Sequence, residues 1–73
     1  MDDEHSLDPE GIAVASRAIE AAFKRLQELK LIDENEELAR TSLASIIFQA
    51  ARRGERVEEN LILFAIGRYQ HSR

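Results

Sequence analysis

The first amphipathic segment of the chain runs from about residue 9 to 30, and its apolar residues recur at steps of three and four. At about 100° per residue, these positions fall within an arc of roughly 120° on a helix. They are Ile12, Ala15, Ile19, Ala22, Phe23, Leu26 and Leu29. Asp8 directly before Pro9 is a good N-cap followed by a residue that suits the first helical position. The pattern predicts a one-sided helix whose charged face is solvated.

A second helix is predicted over about residues 34–53. If the first helix continued in phase, Asp33 and Glu37 would lie on or beside its apolar stripe, and burying unpaired charges is costly. Asp33 and Glu36 also have the spacing of a capping box. The apolar positions of this helix span roughly 200°, which is more than one neighbouring helix covers. They are Ala39, Leu43, Ala44, Ile46, Ile47, Phe48, Ala50 and Ala51.

A third helix is predicted over about residues 57–69. The run Arg52-Arg53-Gly54 is typical of a helix end, because cations stabilise the last carbonyls and glycine readily adopts the left-handed conformation. Glu55-Arg56-Val57 offers no good N-cap, and the stripes of the two helices are nearly in phase, so a single bent helix is a second interpretation. The third helix is apolar over more than half of its circumference. Its apolar residues are Val57, Leu61, Ile62, Leu63, Phe64, Ala65, Ile66 and Tyr69.

These elements predict an all-α fold, a three-helix domain over residues 7–70 with two longer helices and a shorter C-terminal helix. Residues 1–6 are predicted to be a disordered tail and residues 71–73 a frayed end. A chain of 73 residues builds only a small core and is marginally stable without further assembly. We therefore expect a symmetric homodimer, since cyclic dimers are the commonest oligomers. The alternative is that the wide apolar arcs are the inner faces of a compact monomer.

A candidate interface follows from the residues of the second and third helices that the first helix cannot cover. The C-terminal half is basic, although the whole chain has a formal net charge of -4, and arginine and aromatic residues are enriched at interface hot spots. The candidate residues are Ala44, Phe48, Ala51, Arg52, Arg53, Arg56, Leu63, Ile66 and Tyr69. We expect the chain to bind itself and another protein there, in a regulatory or scaffolding role.

Nucleic-acid binding is the alternative interpretation. Two helices joined by a short glycine-containing turn have the outline of a helix-turn-helix, in which Arg52, Arg53 and Arg56 would contact phosphates. The start of the third helix, where base-reading residues belong, instead carries Glu58 and Glu59, which phosphate repels. The arginines are also explained as charges at a helix end. Nucleic acid is therefore the less favoured partner.

Enzymatic activity and cofactor binding are not expected. The chain has no cysteine, which excludes disulfides and thiolate chemistry. Its two histidines, His5 and His71, lie in the terminal segments, where no fixed geometry for general-base catalysis is predicted. No motif for metal, phosphate or a small-molecule substrate occurs. Without an apolar run of roughly 20 residues or a signal-peptide pattern, we expect a cytoplasmic protein that does not associate with membranes.

Overall fold

The computed structural model describes residues 8–32 and 35–71, and the described chain forms three α-helices and no strand. The helices are α1 (Pro9–Glu28), α2 (Glu36–Arg52) and α3 (Glu58–His71). Each helix packs against both of the others. The all-α, three-helix fold predicted from the sequence is confirmed, and α2 and α3 are separate helices rather than one bent helix.

The two ends of the chain can be compared with the prediction only in part. The predicted tail over residues 1–6 lies outside the described residues, as do residues 72–73. His71, the first residue of the predicted frayed end, is the last residue of α3.

The start of α1 has the N-cap that the sequence predicts. The Asp8 Oδ1 atom accepts a hydrogen bond from the Gly11 backbone N–H at 2.7 Å, and Pro9 is the first helical residue. The end of α1 was not signalled by a glycine. Lys30 adopts the left-handed conformation with φ of 59°, and the Leu31 N–H donates to the Leu26 carbonyl at 2.9 Å. This is a Schellman motif with lysine at the position that usually takes glycine.

The start of α2 differs from the predicted capping box. Asn35 is the N-cap, and its Oδ1 atom accepts hydrogen bonds from the N–H groups of Glu37 at 2.7 Å and Leu38 at 3.4 Å. Asp33, the predicted cap, lies outside the described residues. Glu36 is the first residue of the helix, not the third as a capping box requires, and its carboxylate accepts a hydrogen bond from Gln27 at 3.2 Å.

The turn between α2 and α3 contains the predicted glycine stop. Gly54 has φ of 110°, a conformation that L side chains rarely adopt. The Glu55 N–H donates to the Ala50 carbonyl at 3.2 Å, which closes a second Schellman motif. The Glu55 carboxylate then accepts a hydrogen bond from the Val57 N–H at 3.0 Å. The sequence offered no good N-cap for α3, and the Glu55 side chain instead accepts a backbone hydrogen bond just before the helix starts.

The hydrophobic core is built from eight larger side chains and six alanines. Phe23, Leu26, Ile47 and Leu61, all predicted as apolar helix positions, belong to this core, and Ile46 packs against it at its edge. Alanines at helix contacts let helix axes approach closely, because interaxial distance depends on side-chain size. The buried alanines are Ala15, Ala18, Ala22, Ala39, Ala51 and Ala65.

The buried face of α1 is rotated from the predicted stripe. Val14 and Ala18 are buried, whereas Ile12 and Leu29, at the two ends of the predicted stripe, are exposed. The physical reason is that α1 contacts two helices, so its inner face is broader than a single stripe. Leu29 is moreover the C-cap residue of the helix, beyond the last turn that packs on the core.

The charged face of α1 is not simply solvated, as the sequence suggested. The Arg17 Nε atom lies 3.0 Å from Glu58 Oε1, and an Arg25 guanidinium nitrogen lies 3.2 Å from Glu59 Oε2. Both acceptors belong to the first turn of α3. These pairs are exposed, so each contributes at most about 1 kcal/mol. They join the outer face of α1 to the start of α3.

A similar contact joins α1 to α2. Arg40 donates a hydrogen bond to the Glu20 carboxylate, and this bond lowers the pKa of Glu20 and raises the pKa of Arg40. The guanidinium of Arg40 also lies 4.3 Å from the centre of the Phe23 ring, within the range of a cation–π contact. Glu20 on α1 therefore pairs with a residue of α2.

Candidate interaction surface

A groove open to solvent lies between the end of α2 and the first half of α3. Its volume is about 450 Å³. Its apolar lining includes Leu63 and Phe64, which are 57% and 41% exposed. The lining residues are Ala50, Arg53, Glu55, Asn60, Leu63 and Phe64. Apolar side chains in a concave surface with a polar rim are typical of a protein-binding site.

Two arginines and one glutamate lie at the rim of this groove or next to it. Arg53 is exposed, and the guanidinium of Arg68 lies 5.8 Å from the centre of the Phe64 ring. The carboxylate of Glu55 is the acidic member of the lining, and it is engaged in hydrogen bonds to the Val57 N–H at 3.0 Å and to Asn60 Nδ2 at 3.3 Å. The groove therefore combines an apolar floor with arginines at its edge.

Gly67 is an open position on the outer surface of α3. It lies one helical turn after Leu63, so the two residues share a face. A Cβ atom added to Gly67 would meet no heavy atom within 4 Å. Glycine in a helix interior costs roughly 0.5–1 kcal/mol relative to alanine, and none of the residues that the structure describes requires a glycine at this position. The packing of residues 8–32 and 35–71 therefore does not explain the bare backbone at Gly67.

Two residues of the predicted interface lie in the core instead. Ala51 is completely buried and Tyr69 is 3% exposed, so neither belongs to the surface of the chain. The physical reason is that both lie on the faces of α2 and α3 that meet the other helices. Phe48 and Ile66 are half-buried and pack against the core, and Ala44 is also half-buried. Of the predicted apolar residues, only Leu63 is largely exposed.

The three predicted arginines have different roles. Arg52 and Arg53 are exposed, but Arg56 binds the chain itself. Its guanidinium donates to the Ala51 carbonyl at 2.6 Å and to the Glu55 carbonyl at 3.1 Å. It also lies 3.4 Å from Asp8 Oδ1. Arg56 therefore closes the C-terminal end of α2 and joins it to the start of α1.

Changing Arg56 to glutamine is expected to lower the free energy of unfolding by about 1 kcal/mol. The substitution removes hydrogen bonds from a cation to carbonyls at a helix end, and such bonds stabilise proteins more than neutral ones. Urea melts measure the effect. Arg52→Gln is the matched control, because the exposed Arg52 should change stability by less than about 0.5 kcal/mol. Equal losses in both variants would contradict the structural role of Arg56.

Of the residues that line the groove, sequence reasoning identified Leu63 and Arg53 and missed the other four. Phe64 and Ala50 were predicted as apolar helix positions but were not included in the candidate interface. Both lie at the edges of their helix faces, where a small rotation of the helix decides between burial and exposure. Asn60 and Gly67 were not among the predicted interface residues.

No cluster of three or more histidine, aspartate or glutamate side chains that could hold a metal ion occurs in residues 8–32 and 35–71. Within the same ranges, no helix has the length and apolar character needed to cross a membrane.

No family model, curated protein or solved structure matches this chain.

Proposed function

We propose that the chain is a non-enzymatic protein-interaction module in a regulatory or scaffolding role, whose contact surface is the groove beside Leu63 and Phe64. The observation that carries this proposal is the exposure of these two large apolar side chains in one concave surface. A partner helix would lay its own apolar side chains in the groove, which is a common mode of recognition. Arg53 at the rim would meet carboxylates of the partner.

A symmetric homodimer is part of the same proposal. The core contains many alanines, each of which returns little free energy on burial, and a chain of 73 residues gains much from burying additional apolar surface. A twofold dimer that covers Leu63 and Phe64 would supply this surface. Ala51 and Tyr69, which were expected at the dimer contact, are buried within the chain. We therefore propose that the dimer contact lies on the outer face of α3.

Nucleic acid is not proposed as the ligand. Arg56, one of the three arginines of that hypothesis, is engaged by the Ala51 carbonyl at 2.6 Å. Glu58 and Glu59 begin α3, in the place where a recognition helix would meet phosphates and bases. A gel-shift assay at low salt tests this directly, and a complex with duplex DNA that requires Arg52 and Arg53 would reverse the conclusion.

Sedimentation equilibrium tests the dimer. We expect the mass of two 8.3 kDa chains at micromolar concentration, and we expect Leu63→Glu to be monomeric because the charge would be buried without a partner. Leu38→Glu is the matched control, since Leu38 on the first turn of α2 is 59% exposed but lies outside the groove. A wild-type monomer up to hundreds of micromolar would contradict the dimer.

A further inference from the structure

We propose that the occupant of this surface is α3 of a second copy of the chain, which packs antiparallel so that Leu63 of each copy contacts Gly67 of the other. This inference rests on the proposed function and names the partner and the arrangement. The observation behind it is that one helix face carries both a protruding apolar side chain and a bare position one turn away.

The shape of this face is self-complementary. Leu63 is 57% exposed and projects from α3, whereas the space above Gly67 is empty. In an antiparallel pair whose twofold axis passes between these two positions, Leu63 of each copy fills the space above Gly67 of the other copy. A twofold interface has this property, because residue i contacts residue j while j contacts i. An absent Cβ also lets the two backbones approach closely.

The charges of α3 favour the antiparallel orientation. The first turn is acidic, with Glu58 and Glu59, and the last turn is basic, with Arg68 and His71. An antiparallel pair brings the acidic end of each helix to the basic end of its partner and opposes the two helix dipoles. A parallel pair would bring like charges together. Arg17 and Arg25 partly neutralise the carboxylates of Glu58 and Glu59. The charge pattern therefore favours the antiparallel over the parallel pair but adds little to the affinity of the dimer.

Crosslinking between single-cysteine variants tests the arrangement, because the natural chain has no cysteine. Asn60→Cys and Gln70→Cys introduce thiols at exposed positions that leave Leu63 and Gly67 unchanged. In the proposed register, residue 60 of one copy lies opposite residue 70 of the other. Two copies of the same residue are then separated by about 15 Å along the helix axis, from a rise of 1.5 Å per residue.

A 1:1 mixture of the two variants, one of them isotope-labelled, is treated with a short bismaleimide and analysed by mass spectrometry. We expect mixed 60–70 products to form at least tenfold faster than 60–60 or 70–70 products. Ser16→Cys on the outer face of α1 is the control and should crosslink slowly. Faster 60–60 and 70–70 products would indicate a parallel pair and overturn the proposal. A sedimentation dimer without any α3 crosslink above the control rate would overturn this arrangement and leave the proposed function standing.

Gly67→Ala provides a second measurement, because its effects on folding and on association have opposite signs. Alanine suits a helix better than glycine and meets no neighbour in the monomer, so the unfolding midpoint of the monomer should rise. Its methyl group would occupy the space reserved for Leu63 of the partner, so we expect the dimer dissociation constant to rise at least tenfold. Ser45→Ala on the exposed side of α2 is the control, and it should leave the dimer dissociation constant unchanged within about twofold. A dimer that Gly67→Ala does not weaken would overturn the proposed contact.

Discussion

Replacing Leu26 by alanine is expected to lower the free energy of unfolding by about 2–5 kcal/mol, the usual range for a buried leucine. Leu26 is completely buried and is among the largest side chains of the core. Its truncation removes apolar contacts and leaves a cavity that the packed helices cannot fill. A 73-residue chain has a total stability of roughly 4–11 kcal/mol at typical values per residue. A single truncation would therefore remove a large part of it.

Leu29→Ala is the matched control for this substitution. Leu29 belongs to the same predicted stripe but is 61% exposed at the C-cap of α1, so its truncation should cost less than about 0.5 kcal/mol. Urea denaturation at one fixed protein concentration measures both variants, because dimer formation would make the midpoint depend on concentration. A loss below half a kcal/mol for Leu26→Ala would show that α1 is not docked as the structure has it.

Replacing Ala18 by leucine is expected to destabilise the fold by about 1–3 kcal/mol, the usual cost of overpacking. Ala18 is completely buried on the face of α1 that meets the other helices, together with Ala15 and Ala22. Three additional carbon atoms at this position would force α1 away from its neighbours or push their side chains out of preferred rotamers. The prediction distinguishes a close-packed alanine contact from an alanine that merely has a high helix propensity.

Ala13→Leu is the control for Ala18→Leu. Ala13 lies on the same helix and is exposed, and alanine and leucine have similar helix propensities. The stability of this variant should stay within about 0.5 kcal/mol of the wild type. If Ala18→Leu is as stable as Ala13→Leu in thermal and urea melts, the helices do not approach as closely as the buried alanines indicate.

The candidate site was only partly predictable. Leu63 lies almost opposite the core residues of its helix in any packing, so its exposure follows from helical periodicity alone. Tyr69 was assigned to the interface but is 3% exposed, whereas Phe64 was left out of the interface but is 41% exposed. The sequence therefore did not fix the boundary between the inner and outer faces of α3. The rotation of α3 about its own axis decides this boundary, and that rotation depends on the side chains of α1 and α2.

Arg56 shows a different limit of sequence reasoning. Its position beside Gly54 indicated a helix-end charge, which agrees with its hydrogen bond to the Ala51 carbonyl at 2.6 Å. The contact with Asp8 at 3.4 Å joins residues that are far apart in sequence. Such a contact exists only after the start of α1 and the α2–α3 turn have come to the same end of the bundle.

The sequence by itself determined the features that depend on neighbouring residues: the helical class, the cap formed by Asp8 and Pro9, and the end of α2 at Gly54. These features follow from local hydrogen bonding and from the conformational freedom of single residues. The tertiary structure alone decided the left-handed Lys30 at the end of α1, because no local preference selects lysine there. It also decided which apolar residues form the core and which remain as the exposed groove, since burial depends on how three helices share their faces.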